Sequence, residues 1–295
     1  MTLSPASAEA QVQLVSASQF TIEQLTAAYN HTRVDYLVPM PMNAARLAEY
    51  VHVYDVDLPA SVVAVDHDTI LGLAMLGLRP GRAWVTRMGV LPVSRRRGVG
   101  QMLLNHLLRT GEQKGVAHIV LEVIQNNLPA YNLFLHSGFT PRRELLVMRR
   151  PPSPPSVAPQ GEAAWHDHAE ALRLLQHRAD QPSWITETES IARAPNIQVL
   201  TLTLPEGGQG WLVFQAQTLR GIPLLLSRLI LHTEAGGPVT VACHLLAHLY
   251  NRFPDLDTQT ENVADADPHL PAYRQLGFFE SFRRNEMLRV DLATL

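Results

Sequence analysis

Residues 90–109, VLPVSRRRGVGQMLLNHLLR, place Arg95, Arg96 and Arg97 and two glycines, Gly98 and Gly100, between an apolar run and an amphipathic segment with helical leucine spacing. A glycine-rich turn opening a helix exposes backbone N–H groups that have no acceptor within the helix, and the helix dipole places partial positive charge at the same end. Such a turn is an anion cradle. The glycines let an anion approach the backbone, and the arginines add forked donors suited to a pyrophosphate or ribose phosphate. A phosphate-binding Walker loop would need a lysine followed by Ser or Thr after the second glycine, and none stands there. A dinucleotide fingerprint would need a third glycine where Gln101, Met102 and Leu103 follow instead.

The elements that must hold this turn can be read from periodicity and caps. FTIEQLTAAYNHTR reads as a helix with Thr21 and Gln24 at capping-box spacing, and Asn43 caps a second helix, NAARLAEYVHVY. ASVVAVD, ILGLAMLGL and AWVTRMGVLP follow as short β-rich runs, the first two joined as a hairpin through Asp66, His67 and Asp68. After the arginine turn and its helix come a strand in AHIVLEVIQNN, a helix in LPAYNLFLHSGF closed by Gly138, and a last strand in ELLVMRR. The predicted order is ααβββαβαβ. Five prolines in 151–159 mark a stiff, extended spacer, so the expected division is 1–150, a linker at 151–161, and 162–295.

The arginine–glycine stretch resembles the signature of the GNAT superfamily of acyl-CoA-dependent N-acyltransferases, V-x-P followed by [QR]-x-x-G-x-[GA] at a helix start. Here it is Val90-Leu91-Pro92, then Arg95-Arg96-Arg97-Gly98-Val99-Gly100. A second family signature is matched in spacing by Asn127, Ala130, Phe134, Gly138 and Phe139. The resemblance covers nearly all of residues 10–150 and implies an α/β fold (α+β), a mixed, mostly antiparallel sheet flanked by helices. It implies acetyl-CoA as cosubstrate, held by the loop Arg95, Arg96, Arg97, Gly98, Val99, Gly100 and Gln101, with Asn127 beyond it. Met88, Gly89 and Val90 stand on the splayed strand whose backbone would serve the pantetheine arm.

Acyl transfer to an amine needs a neutral nucleophile, stabilisation of the thioester oxygen, and a proton for the departing thiolate. Glu122, five residues before Asn127, matches the position of a glutamate that in some members deprotonates the amine. The family places tyrosine at the thiolate end, where this chain has Phe134, which has no proton to give. Tyr131, one turn earlier on the same helix, is the expected substitute; water, or a domain that binds acyl-CoA without turnover, are the alternatives. Members line the acceptor pocket with the segment between the first two helices, here NHTRVDYLVPMPMN. Asp35 in it is the candidate anchor for a cationic amine, and Tyr36 the candidate wall. The expected acceptor is a small-molecule amine or a peptide N-terminus.

The second half repeats the element order. MLLNHLL at 102 matches HLLAHLY at 244, an offset of 142, and LHSGF matches RQLGF with Gly277 against Gly138, an offset of 139. An internal duplication is the economical reading. Register on the leucines puts Gly237-Pro238-Val239-Thr240-Val241-Ala242 against the arginine turn, so residues 162–295 are expected to be a degenerate GNAT-like domain without a cradle.

Length and composition agree. The 295 residues, 46% hydrophobic and 17% charged, suit two globular domains, and a net charge of −3 gives no whole-chain footprint for nucleic acid. A lone cysteine, Cys243, forbids an internal disulfide framework and, with no evident secretory signal, predicts a cytoplasmic protein. The longest apolar stretch, GIPLLLSRLILH, is too short to span a bilayer. His244 and His248 sit four apart but lack an acidic third ligand, so no metal is expected.

Overall fold

Polar caps set the helix ends in a computed structural model that describes residues 12–178 and 180–290. Thr21 and Gln24 exchange both bonds of a capping box at the start of α1 (Ile22–His31), and Asn43 Oδ1 accepts from the Arg46 amide at the start of α2 (Ala44–Val53). The chain divides into two compact units. The described part of the first takes in residues 12–122, 127–140 and 287–290; the second takes in 123–126 and 141–286, apart from Ala179.

In the first unit a short strand, β1 (Gln13–Ser16), precedes α1 and pairs antiparallel with β2 (Val62–Asp66). The predicted order lacks β1, because four residues with one clear apolar pair carry too little periodicity to register. β2 and β3 (Thr69–Arg79) form the expected hairpin, turning at His67, whose φ is +51°, and Asp68. β4 (Arg82–Val90) lies antiparallel to β3 and parallel to β5 (His118–Ile124). α3 (Val99–Gln113) makes the crossover between them, and α4 (Leu128–His136) follows β5. The strands run in the order β1-β2-β3-β4-β5, with the 287–290 end of the chain's last strand, β12 (Phe279–Val290), beside β5. Leu25, Tyr29, Leu47, Leu73, Met75, Leu76, Leu103 and Leu107 fill the core.

The second unit repeats this plan: β7 (Glu162–His166), α5 (His168–Leu175), α6 (Thr188–Arg193), β8 (Ile197–Thr203), β9 (Gln209–Leu219), β10 (Ile222–Ala235), α7 (Pro238–Arg252), β11 (Asp257–Ala264), α8 (Leu270–Gln275) and β12. Its β10 and β11 are parallel, as β4 and β5 are. β6 (Thr140–Arg150), which precedes the proline segment, pairs antiparallel with β11 from Ala264↔Leu145 to Thr258↔Arg150. Compactness therefore groups residues 141–150 with the second unit, a division that linear order does not reveal. Arg150 is buried there, with Nε donating to the Leu276 carbonyl at 2.6 Å and its guanidinium 3.6 Å from the Tyr250 ring centre. The proline segment follows as part of the same unit, held by Arg150 Nη2 on the Ser153 carbonyl and Ser156 Oγ on the Gln275 carbonyl.

The duplication has one register. α3 and α7 are both 15 residues long, α7 begins 139 positions after α3, and Gly277 follows Gly138 by the same offset. The leucine match at 142 is one helical turn out of step, because apolar residues recurring every three or four positions let a helix align with itself three residues along. With the offset of 139, Gly237 stands at the helix cap held by Gly98.

Close packing selects glycine at position 89, on the last turn of β4. A Cβ there would overlap Thr32 Oγ1 and Cβ at the end of α1. Gly89→Ala is expected to destabilise the first unit by about 1–3 kcal/mol through overpacking, visible as a lowered melting temperature by calorimetry; an unchanged transition would contradict this packing.

Candidate active site

Two neighbouring parallel strands part company in the first unit. β4 and β5 pair from Arg82↔His118 to Val85↔Leu121 and no further. On its other side β4 carries a bulge: Thr86 opposes Met75, and the next pair is Gly89 with Leu73, so Arg87 and Met88 together stand against Ala74 alone, one residue too many on β4. Arg87 sits in the left-handed region at φ +48°, where a non-glycine residue costs energy unless its surroundings fix it. The fixing contacts are visible. Arg87 Nη1 donates to Tyr29 Oη at 2.8 Å, and its guanidinium lies 4.0 Å from the Tyr50 ring centre.

The arginine–glycine turn lies beyond β4. Arg96 and Gly98 both take positive φ, +61° and +78°. Gly98 caps α3 without a side-chain bond, and the first helical bond runs from the Met102 amide to the Gly98 carbonyl. The amides of Val99, Gly100 and Gln101 consequently have no acceptor within the helix. A Cβ on Gly98 would meet nothing within 4 Å, and one on Gly100 only ordinary contacts, 3.6 Å to Leu133, 3.7 Å to Met88 and 3.8 Å to Val90. Packing within the protein does not demand glycine at 100, whereas a ligand approaching the backbone would.

The three arginines divide into two roles. Arg95 turns back to the link after α1: Nη1 and Nη2 grip both oxygens of Asp35 at 2.7 Å, Nη2 also reaches the Thr32 carbonyl at 3.1 Å, and Nε the Val90 carbonyl at 3.2 Å. Arg96 and Arg97 are exposed and, among the described residues, make no ion pair. The residues expected to bind cofactor (Arg95) and amine (Asp35) thus form one clasp. The Arg95 hydrogen bond holds the Asp35 carboxyl below its ordinary value. Gln101 bonds Asn105 and Ser137 through its side chain, so only its amide faces the turn's role.

Glu122 stands one residue past the last β4–β5 pair, where Trp84 Nε1 donates to its Oε2 at 2.7 Å. Trp84, Tyr50 and Tyr54 pack together with ring centres 4.7–6.0 Å apart. Tyr50 donates to or accepts from Thr86 Oγ1 at 2.5 Å, and burial pushes its phenol far up, so it keeps its proton. Asn127 caps α4, with Nδ2 donating to Tyr36 Oη at 3.4 Å. Tyr131 is half-buried on α4, and its hydroxyl makes no bond to the described protein; Phe134, three residues on, is buried edge-to-face on Phe139. Arg33, which the sequence reading passed over, stacks on Tyr29 at 4.8 Å and Tyr36 at 4.2 Å, with Nη2 donating to the Met88 carbonyl. The one sequence signal for this group is Arg87, a charge inside the apolar strand WVTRMGV.

The second unit keeps the divergence and loses the turn. β10 and β11 pair only from Leu225↔Asp257 to Ser227↔Gln259, and β10 has the same bulge, with Arg228 at φ +55°. Between β10 and α7, however, lie only Gly236 and Gly237, against residues 91–98 in the first unit. Pro238 opens α7 and has no amide to donate. His248 bonds the Gln160 carbonyl, and among the described residues no group of three or more metal-ligating side chains is assembled. No helix among them is long and apolar enough to cross a membrane.

The Acetyltransferase (GNAT) family model matches residues 23–139. No curated protein matches the sequence. Solved structures share the architecture at low identity. A GCN5-related N-acetyltransferase from Sphaerobacter thermophilus is 17% identical over 96% of this chain and 98% of its own, with a TM-score of 0.64. A tandem GNAT protein from the clavulanic acid biosynthesis pathway is 17% identical over 95% of this chain and 98% of its own, also at 0.64. A GCN5-related N-acetyltransferase from Anabaena variabilis is 15% identical over 96% of this chain and 74% of its own, at 0.61. The fold is that of a tandem of two GNAT-like domains.

The clasp is half-exposed, 39% for the Arg95 side chain and 49% for Asp35, so it orders its segment more than it stabilises the fold. Asp35→Asn is expected to leave the melting temperature unchanged while speeding amide hydrogen exchange in residues 32–36. Because the folded carboxyl titrates below its unfolded value, wild-type protection should be constant from neutral pH down to about 4 and fall only as pH drops through the lowered value. Loss of protection already near neutrality would contradict the assignment.

Proposed function

We propose that the first unit is an N-acetyltransferase that transfers an acetyl group from acetyl-CoA directly to a primary amine, without a covalent enzyme intermediate. The observation that carries this is the set of three unpaired amides at the glycine cap of α3, flanked by two unengaged arginines, at the mouth of the β4–β5 divergence. The fit to a pyrophosphate is chemical as well as geometric: backbone N–H groups at a helix N-terminus with forked cations beside them.

Bound acetyl-CoA would supply a thioester carbon open to attack. The chain's residues do the rest. The amides of Val99, Gly100 and Gln101, with Arg96 and Arg97, hold the phosphates. Met88, Gly89 and Val90 border the divergence; the carbonyls of Met88 and Val90 already accept from Arg33 and Arg95, which stiffens that edge. Glu122, oriented by Trp84, takes the amine's proton directly or through a water. Tyr131, whose hydroxyl has no partner among the described residues, gives the proton to the departing thiolate. Asn127 fixes the start of α4, from which Tyr131 projects. The second unit we read as a GNAT-like domain that lacks a cofactor turn.

Buried Phe134 supports a second reading, an acyl-CoA-binding module without turnover, and kinetics separate the two. Wild type should bind acetyl-CoA and release thiol with an amine acceptor. Gly100→Val should abolish binding in a calorimetric titration with the melting temperature held within a few degrees. Glu122→Gln should bind normally and lose about 10²–10⁴ in kcat, the usual worth of a positioned base. Binding without thiol release on any amine would support the module.

A further inference from the structure

In the second unit, a hydroxyl, an imidazole and a carboxylate line up where the parallel strands have parted. β10 and β11 pair last at Ser227↔Gln259, and Thr233 stands further along β10, close to its end. Its Oγ1 lies 3.0 Å from Nε2 of His269, in the link between β11 and α8. His269 Nδ1 in turn lies 2.8 Å from Oδ1 of Asp267, in the same link. The contact therefore joins the continuations of two strands that no longer pair.

The acceptors fix the protons. An ionised carboxylate can only accept, so in the neutral imidazole Nδ1 carries the hydrogen and the Nε2 lone pair is left to accept from the Thr233 hydroxyl. Asp267 Oδ1 also accepts the His269 amide at 2.8 Å, which ties the carboxylate to the residue whose ring it orients. His269 is buried, whereas Thr233 and Asp267 are partly exposed. A nucleophile within reach of solvent, a shielded base and a third group orienting that base are the parts of a hydroxyl activated for attack.

The counterpart in the first unit shows that the helix start does not require this arrangement. Leu-Pro-Ala-Tyr opens both α4 and α8, so His269 takes the cap position that Asn127 takes in the first unit. Asn127 spends its side chain on capping, accepting from the Ala130 amide. His269 makes no side-chain cap bond, and its two ring nitrogens go to Thr233 and Asp267. The exposed pair Gly236 and Gly237, three and four residues past Thr233, makes no backbone hydrogen bond through its amides among the described residues, which leaves donors close by in the chain for a developing oxyanion.

We infer that Thr233, His269 and Asp267 form a second, esterase-type site that hydrolyses small carboxylic esters. Thr233 Oγ1 bonds to the ester carbonyl carbon as its proton passes to His269 Nε2. The bond from that carbon to the alcohol oxygen then breaks, and the departing alcohol takes the proton. Water attacks the Thr233 ester, His269 accepts the water's proton and returns it to Oγ1, and the carboxylic acid leaves. Asp267 stays ionised throughout, facing the imidazolium as a positioning residue.

The test uses the full chain without acetyl-CoA. An alkyl fluorophosphonate, which forms a P–O bond with an activated hydroxyl and loses fluoride, should label Thr233, as located by peptide mass spectrometry. p-Nitrophenyl acetate should be turned over. Thr233→Val and His269→Gln should each lower kcat/KM for that ester by about 10²–10⁴-fold, the usual worth of a positioned base. Thr233→Ser should keep both label and turnover, and Asp267→Asn should slow the labelling, with melting temperatures checking that each variant folds. A wild-type Thr233 that stays unlabelled would overturn the inference whatever the variants do, and so would ester turnover that survives Thr233→Val. A contact that merely staples β10 to the α8 link predicts those two results.

Discussion

Two parallel strands that separate in mid-sheet create a debt of unpaired backbone groups, because buried N–H and C=O groups must find partners somewhere. In the first unit that separation follows Val85 and Leu121, and most of the site is its consequence. The Met88 carbonyl accepts from Arg33 and the Val90 carbonyl from Arg95. Both arginines are anchored at the link between α1 and α2, one by stacking on tyrosines and one by gripping Asp35. The bulge at Arg87 supplies the bend that carries β4 away from β5, and the left-handed residue at its centre is secured by Tyr29 and Tyr50.

The second unit isolates the variable part of the design. It has the same separation of parallel strands and the same arginine-centred bulge, yet its strand runs almost directly into α7 through two glycines and a proline. Fold and arginine–glycine turn are thus separable. The sheet geometry recurs in both units because it is held by packing, while the turn between β4 and α3 depends on residues 91–98 alone and has no counterpart of that length. A helix N-terminus is present in both units; only in the first are its amides all available and its approach flanked by cations.

Local chemistry was legible from residue types. The capping box at Thr21 and Gln24, the Asn43 cap, the β2–β3 hairpin and the glycine turn before α3 each depend on a few neighbouring residues and appear where the spacing places them. Features set by distant residues were not. Arg95 and Asp35 lie 60 positions apart, and nothing in either segment marks their clasp, so their types alone suggested separate partners for each. The bulge at Arg87 is a matter of register against β3, and β6 joins the second unit through pairing with a strand more than a hundred residues away. The leucine repeat misled for a different reason: its period is that of the helix itself, so it cannot fix register to better than one turn.

The central claim is that the α3 glycine cap binds the phosphates of acetyl-CoA through its backbone. Amide hydrogen exchange at Val99, Gly100 and Gln101, measured with and without saturating coenzyme A, tests it most directly. The account predicts marked slowing at these three amides, with Val239 and Thr240 at the start of α7 unaffected. Unchanged exchange at all three under saturating ligand would contradict it.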